Sequence, residues 1–143
     1  MQSSAEYFIR GIPAPHVDKF WKLAEPYIKR ALDRANGELD HHDLRAMIAE
    51  RNVQLWMVSN KERIVGALTT EIVVYPRKKV VRVITLAGNE FTEWFPVAEE
   101  VIIAFGIEQG CEGIESFVRN GLTKRLAPSG YKKVYEVNYK PFY

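Results

Sequence analysis

From His16 onward, Val17, Phe20, Trp21, Ala24, Ile28, Ala31 and Leu32 recur at three- and four-residue steps. That is the spacing of a helix that lays one face on a core. Pro26 removes a backbone donor and should bend this helix, and Asn36-Gly37 ends it. Asp40 stands where a carboxylate would cap a second helix with Leu44, Met47 and Ile48 inward and Asn52 at its close. Ahead of both, Tyr7 to Arg10 reads as a short strand, stopped by Gly11, Pro13 and Pro15. At Val53 the period changes to two. Val53, Leu55 and Met57 alternate with Gln54, Trp56 and Val58 as far as the turn Ser59-Asn60-Lys61-Glu62. Ile64 to Val74 is then a long strand, Pro76-Arg77-Lys78-Lys79 a turn, and Val80, Val81, Val83, Ile84 and Leu86 the return strand. Short turns between successive strands predict an antiparallel meander.

The last third changes character again. Trp94 to Gln109 is an apolar helical run whose predicted core face is Trp94, Val97, Ala98, Val101, Ile102 and Phe105. Ile103, Ala104 and Ile107 widen the arc and predict a helix pressed deeply against the sheet, with Gly110 as its stop. Ile114, Phe117 and Val118 make a short strand. Because a helix intervenes, that strand can lie parallel to the one before it through a right-handed crossover. A short helix around Lys124 and a final strand from Lys132 to Tyr139 complete the series. The expected fold is α/β (α+β), a mixed and mostly antiparallel central sheet with helices on both faces, in one domain over 1–143.

Composition narrows the function classes. In 143 residues, 47% hydrophobic and 27% charged side chains give one globular domain the means to bury a core. A net charge of +2 does not identify a nucleic-acid or membrane binder. Arg77, Lys78, Lys79 and Arg82, with Lys132 and Lys133, are a charged turn or a phosphate-attracting patch; without aromatic interleaving, nucleic-acid binding is not expected. The apolar run from Val97 to Ile107 is far shorter than the roughly 20 residues that span a bilayer, so no membrane insertion is expected. Cys111 is the lone cysteine, and the first residues carry neither a basic leader nor a long apolar run, so a cytoplasmic setting is expected. His41 and His42, with Asp40 and Asp43, point in different directions on a helix, and no metal site is expected. Trp56, Tyr75, Trp94, Phe95, Tyr135, Tyr139, Phe142 and Tyr143 are more large rings than one covered sheet needs. Some would line a contact with a protein partner or with a second copy of the chain.

This order of elements, with the ending Arg125-Leu-Ala-Pro-Ser-Gly-Tyr131, resembles the GNAT superfamily of acyl-CoA-dependent N-acetyltransferases. The resemblance implies acetyl-CoA as cosubstrate and an amine as acceptor. In that family the junction before the long helix grips the pyrophosphate through free amides and glycines. Here it reads Leu86-Ala-Gly-Asn-Glu-Phe-Thr-Glu-Trp-Phe95, with Gly88 as its one glycine and Glu90 and Glu93 near the helix start. The cofactor-binding candidates carried over are Leu86, Ala87, Gly88, Asn89 and Thr92, with Asn120, Lys124 and Arg125 on the short helix. Asn89 or Thr92 would otherwise cap the helix, and Lys124 and Arg125 would otherwise be solvated charges. Glu71 is the candidate catalytic base, or a residue on a solvated strand face. Tyr131 is the candidate acid, or a core ring with a wet hydroxyl; Leu126 occupies the place of the family's usual tyrosine. The departures at the junction keep a second reading beside the enzyme: a catalytically inactive GNAT-fold binding or structural protein, similar to those of bacteriophages, some of them virion components. For such a protein the setting would be a host cytoplasm or a virion.

Overall fold

A computed structural model of the chain describes residues 6–118 and 120–143; the side chain of Asn120 lies outside the described residues. The elements in order are β1 (Phe8–Ile12), a 3-10 turn (Ala14–His16), α1 (Val17–Leu32), α2 (His41–Ala49), β2 (Gln54–Ser59), β3 (Ile64–Val74) and β4 (Lys79–Gly88). There follow α3 (Phe91–Glu108), β5 (Gly113–Ser116), α4 (Asn120–Leu126) and a closing 3-10 turn (Ala127–Ser129). The sheet runs β1-β2-β3-β4-β5. Its first four strands are antiparallel, and β5 joins β4 in parallel after the crossover through α3. This is the mixed, mostly antiparallel sheet read from the sequence.

Each face of the sheet carries its own core. Trp21, Ala24 and Ile28 of α1 and Leu44 and Ile48 of α2 pack with Leu55, Met57 and Ala67. On the other face Trp94, Ala98 and Ile102 of α3 pack with Trp56, Val58, Val65, Leu68 and Val81. Successive residues of a strand point to opposite faces, so Leu55, Trp56, Met57 and Val58 are all buried. Asp40 caps α2, accepting from the Asp43 amide at 2.9 Å while Asp43 accepts from the Asp40 amide at 2.9 Å. That reciprocal box satisfies two orphan donors at once.

Three expectations need correction. The first strand does not stop at Gly11 but runs through it to Ile12, because Gly11 lies opposite Trp56 and leaves room for the indole. The inward face of α3 is a stripe at four-residue steps, Trp94, Ala98, Ile102 and Gly106, with Phe95 beside it. Small residues set its depth, since a Cβ on Gly106 would stand 2.8 Å from a Val81 methyl. Val97, Ile103 and Ile107 consequently face outward, and the wide apolar arc is not a wide buried arc. Finally, residues 132–143 join no strand of the described sheet and are exposed throughout. Their alternating pattern suits a strand, but a strand forms only where a neighbour accepts its amides.

Candidate active site

Strands β4 and β5 share only the register Val80↔Gly113 to Val83↔Ser116. Beyond Val83, β4 continues through Ile84, Thr85, Leu86 and Ala87 to Gly88, paired with β3 alone among the described residues. The sheet therefore opens along one edge of β4, and that edge leads straight to the start of α3. The turn between them is tight. The Asn89 amide donates to the Val65 carbonyl at 2.8 Å, and Glu90 takes a left-handed conformation at φ 60°. Glu90 provides no side-chain cap for α3, which leaves the first-turn amides of Phe91 and Thr92 uncapped by it.

Leu86, Ala87, Gly88, Asn89 and Thr92 thus lie in one continuous path along the open edge and around the turn. Asn89 and Thr92 are exposed there. Helix α4 comes up to the same place, with the Arg125 guanidinium 5.4 Å from the centre of the Phe91 ring. Lys124 is exposed on the same helix. Asn120 begins α4, and its side chain is outside the described residues.

Two residues that sequence patterning did not single out control the electrostatics of this turn. The Tyr7 hydroxyl lies 2.6 Å from a Glu93 carboxylate oxygen and 2.9 Å from a Glu90 oxygen. One phenol proton serves both carboxylates. The bond to Glu93, then burial, then the Glu90 contacts hold the Tyr7 phenol well above its usual ionisation range. Arg63 adds a cation 3.8 Å from Glu90. Only the folded sheet joins these groups, since Tyr7 lies 83 and 86 residues from its partners and no local pattern announces them.

Glu71 lies elsewhere. It pairs across the ladder with Arg82, whose Nη1 is 3.8 Å from its carboxylate. Arg82 also binds Glu115 at 2.8 Å, donates to the Tyr75 oxygen at 3.0 Å, and stacks 4.6 Å from the Phe117 ring centre. Five residues separate Glu71 from Gly66, the partner of Gly88, a distance of roughly 16 Å along the strand. Ile72, the next residue, packs with the α3 core, so alternation sends Glu71 to the opposite face. Tyr131 packs on the α3 side, 6.3 Å from the Phe95 ring. Burial, reinforced by a hydrogen bond to Glu99, raises its phenol above the ordinary range. The two catalytic candidates therefore stand on opposite faces of the sheet. Leu126 is buried against the same cluster. Among the described residues, no three His, Cys, Asp or Glu side chains gather as metal ligands, and no helix is long and apolar enough to cross a membrane.

No family model and no curated protein matches the sequence. The backbone is similar to that of solved acetyltransferases. An aminoglycoside acetyltransferase from an uncultured soil metagenomic sample superposes with a TM-score of 0.71 at 10% identity, over 96% of this chain and 99% of that one. Aminoglycoside N-acetyltransferase AAC(6')-Iy, solved with CoA, gives 0.67 at 13% identity over 99% and 97% of the two chains. A predicted acetyltransferase from Clostridium acetobutylicum, solved with acetyl-CoA, gives 0.66 at 8% identity over 95% and 96%. At these identities the shared property is the fold, and the fold of this chain is that of the GNAT-type acetyltransferases.

Proposed function

We propose that this GNAT-fold chain transfers an acetyl group from acetyl-CoA to an amine. The observation that carries the reading is the open edge of β4 from Ile84 to Gly88 running into the uncapped first turn of α3. An unpaired strand edge offers N–H and C=O groups to the amide-bearing arm of CoA, and the amides of Phe91 and Thr92 offer the positive end of a helix to its pyrophosphate. Leu86, Ala87 and Gly88 would supply the edge, Asn89 and Thr92 the turn, and Lys124 and Arg125, with Asn120, the outer phosphates. The acceptor nitrogen attacks the thioester carbonyl, the C–S bond breaks, and the amine proton passes to water, since Glu71 stands on the opposite face of the sheet from Tyr131. Tyr131 supplies a proton to the departing thiolate. Two of the structural neighbours are named as aminoglycoside acetyltransferases, which favours an amine acceptor. The reading carries a cytoplasmic setting with it, where acetyl-CoA is made and a lone Cys111 stays reduced.

A second reading has its own observation. The two carboxylates that Tyr7 gathers beside α3 oppose a pyrophosphate, and they favour a GNAT-fold binding protein without catalysis. Calorimetric titration with acetyl-CoA at low salt separates the two. Micromolar binding supports the transferase; absence of heat up to millimolar ligand overturns it and leaves the binding protein.

A further inference from the structure

Strand β1 leaves the sheet before its neighbour does. Their register closes at Ile12↔Leu55, Pro13 turns the chain away, and Gln54 at the start of β2 is paired with Thr70 of β3 alone among the described residues. A notch of about 320 Å³ remains at this margin. Ile12 and Ile48 wall it from the core under α1 and α2, and Trp56 and Phe105 from the core under α3, with the two rings edge to face and their centres 5.2 Å apart. That size and lining suit one small apolar body.

Two polar side chains reach the same notch. The buried Trp56 indole N–H donates to the Thr70 hydroxyl at 2.9 Å, and that hydroxyl donates in turn to Gln54 Oε1 at 2.8 Å. A hydroxyl has a single proton, so the relay commits the carbonyl end of the Gln54 amide to Thr70 and leaves Nε2 with no acceptor among the described residues. The other side chain is Arg51, the only charged residue among those lining the notch, and no carboxylate among the described residues pairs with it. Its position is unusual. At the end of α2 the Arg51 amide donates to the Ile48 carbonyl at 3.0 Å and the Asn52 amide to the Met47 carbonyl at 3.0 Å, a closure whose left-handed residue is usually glycine. Arg51 takes that place at φ 68°. Glycine would meet the turn without strain, so the backbone gives no reason for an arginine there.

We propose that the notch binds a small carboxylic acid with an aromatic body. The ring lies against Trp56 and Phe105, and the carboxylate accepts from Gln54 Nε2 and from the Arg51 guanidinium in charge-assisted bonds. Donors without acceptors select a group that only accepts, and one cation balances a single negative charge. The proposal is independent of the acetyl-transfer reading, because the notch is at the β1 margin of the sheet and the open edge of that reading is on β4.

NMR titration of the isotope-labelled full chain with phenylacetate tests it. The Trp56 indole N–H begins the relay that ends on Gln54, and its resonance is identified by its loss in Trp56→Phe. It should move saturably, with a dissociation constant of about 1 mM or tighter, while the indole resonances of Trp21 and Trp94 stay in place. Phenethyl alcohol keeps the ring without the charge and should bind about tenfold more weakly or worse. Arg51→Gly removes the guanidinium from a position that favours glycine; it should hold or raise the thermal midpoint and weaken phenylacetate binding by about tenfold or more. Gln54→Glu keeps an acceptor for Thr70 but sets a negative charge where Nε2 was, and should abolish binding. A Trp56 resonance unmoved at about 10 mM phenylacetate overturns the proposal. Equal binding of the acid and the alcohol overturns it as well, since the notch would then be merely apolar, and so does undiminished affinity in Arg51→Gly.

Discussion

Trp94 lies so close over Gly88 that a Cβ on the glycine would stand 2.8 Å from the indole Cζ2. The same Cβ would be 2.5 Å from the Val65 carbonyl oxygen. Gly66, the ladder partner of Gly88, would meet the indole at 2.9 Å. Two facing glycines thus make a bed for one ring, whose N–H donates to the Asn89 carbonyl at 2.7 Å. The glycine at the junction before the long helix is required here by packing, whatever it also offers a ligand. Gly88→Ala should destabilise the fold by about 1–3 kcal/mol, the usual cost of overpacking. Urea denaturation measures it, and an unchanged midpoint would show that the bed has more room than these distances allow.

Legibility followed the range of the interactions. Ile64 and Val74 bound β3 as the periodicity predicted, and Asp40 caps α2, because alternation and capping act within a few residues. The burial of α3 was only partly readable. Both faces of an apolar helix look alike in sequence, and the buried side was chosen by the close approach of Gly106 to Val81. The Tyr7 contact with Glu90 and Glu93 had no sequence signal, since it depends on where β1 sits beside α3. The expected last strand failed for the same reason. Lys132 to Tyr139 has the pattern of a strand, but pattern does not supply a neighbour.

Two phenols make stability depend on alkaline pH. Tyr7 and Tyr131 both have folded-state ionisation raised above the ordinary value, Tyr7 by its bond to Glu93 and Tyr131 by burial. A group raised on folding contributes stability in full below its unfolded pKa of about 10, and that contribution is lost as pH rises toward the folded value. Stability should be insensitive to these phenols at neutral pH and decline above pH of about 10. Tyr7→Phe with Tyr131→Phe should flatten the decline. Urea midpoints measured against pH decide the matter, and equal slopes for the two proteins would remove these phenols as the cause.

The carboxylates at the turn should set acetyl-CoA affinity. Each negative charge at a helix start interacts with the dipole by about 0.3–1 kcal/mol and competes there with an incoming pyrophosphate. Glu90→Gln with Glu93→Gln should therefore tighten binding by roughly 3- to 30-fold at low salt, with the gain shrinking as salt is added. Calorimetry on both proteins at two salt concentrations checks this. Equal affinities would mean that the carboxylates do not face the ligand.

Glu71 and Glu115 share Arg82, but their distances assign them different work. Glu115 accepts from Arg82 Nε at 2.9 Å and from the Tyr75 hydroxyl at 2.7 Å, so both bonds depend on its charge and position. Glu71, at 3.8 Å from Arg82, is beyond hydrogen-bond range and keeps acceptor capacity for a proton. Glu115→Gln should thus cost about 1.5–3 kcal/mol of stability, and Glu71→Gln less than about 1 kcal/mol. Because Glu71 stands on the face of the sheet away from Tyr131, Glu71→Gln should leave kcat of the proposed transfer nearly unchanged, without the loss of about 10²- to 10⁴-fold that removal of a general base brings. Urea denaturation beside an assay of released CoA thiol reads both quantities. A kcat loss of that size would make Glu71 the proton acceptor in place of water, and equal stability losses in the two variants would show that Glu71 is as much a structural ligand of Arg82 as Glu115 is.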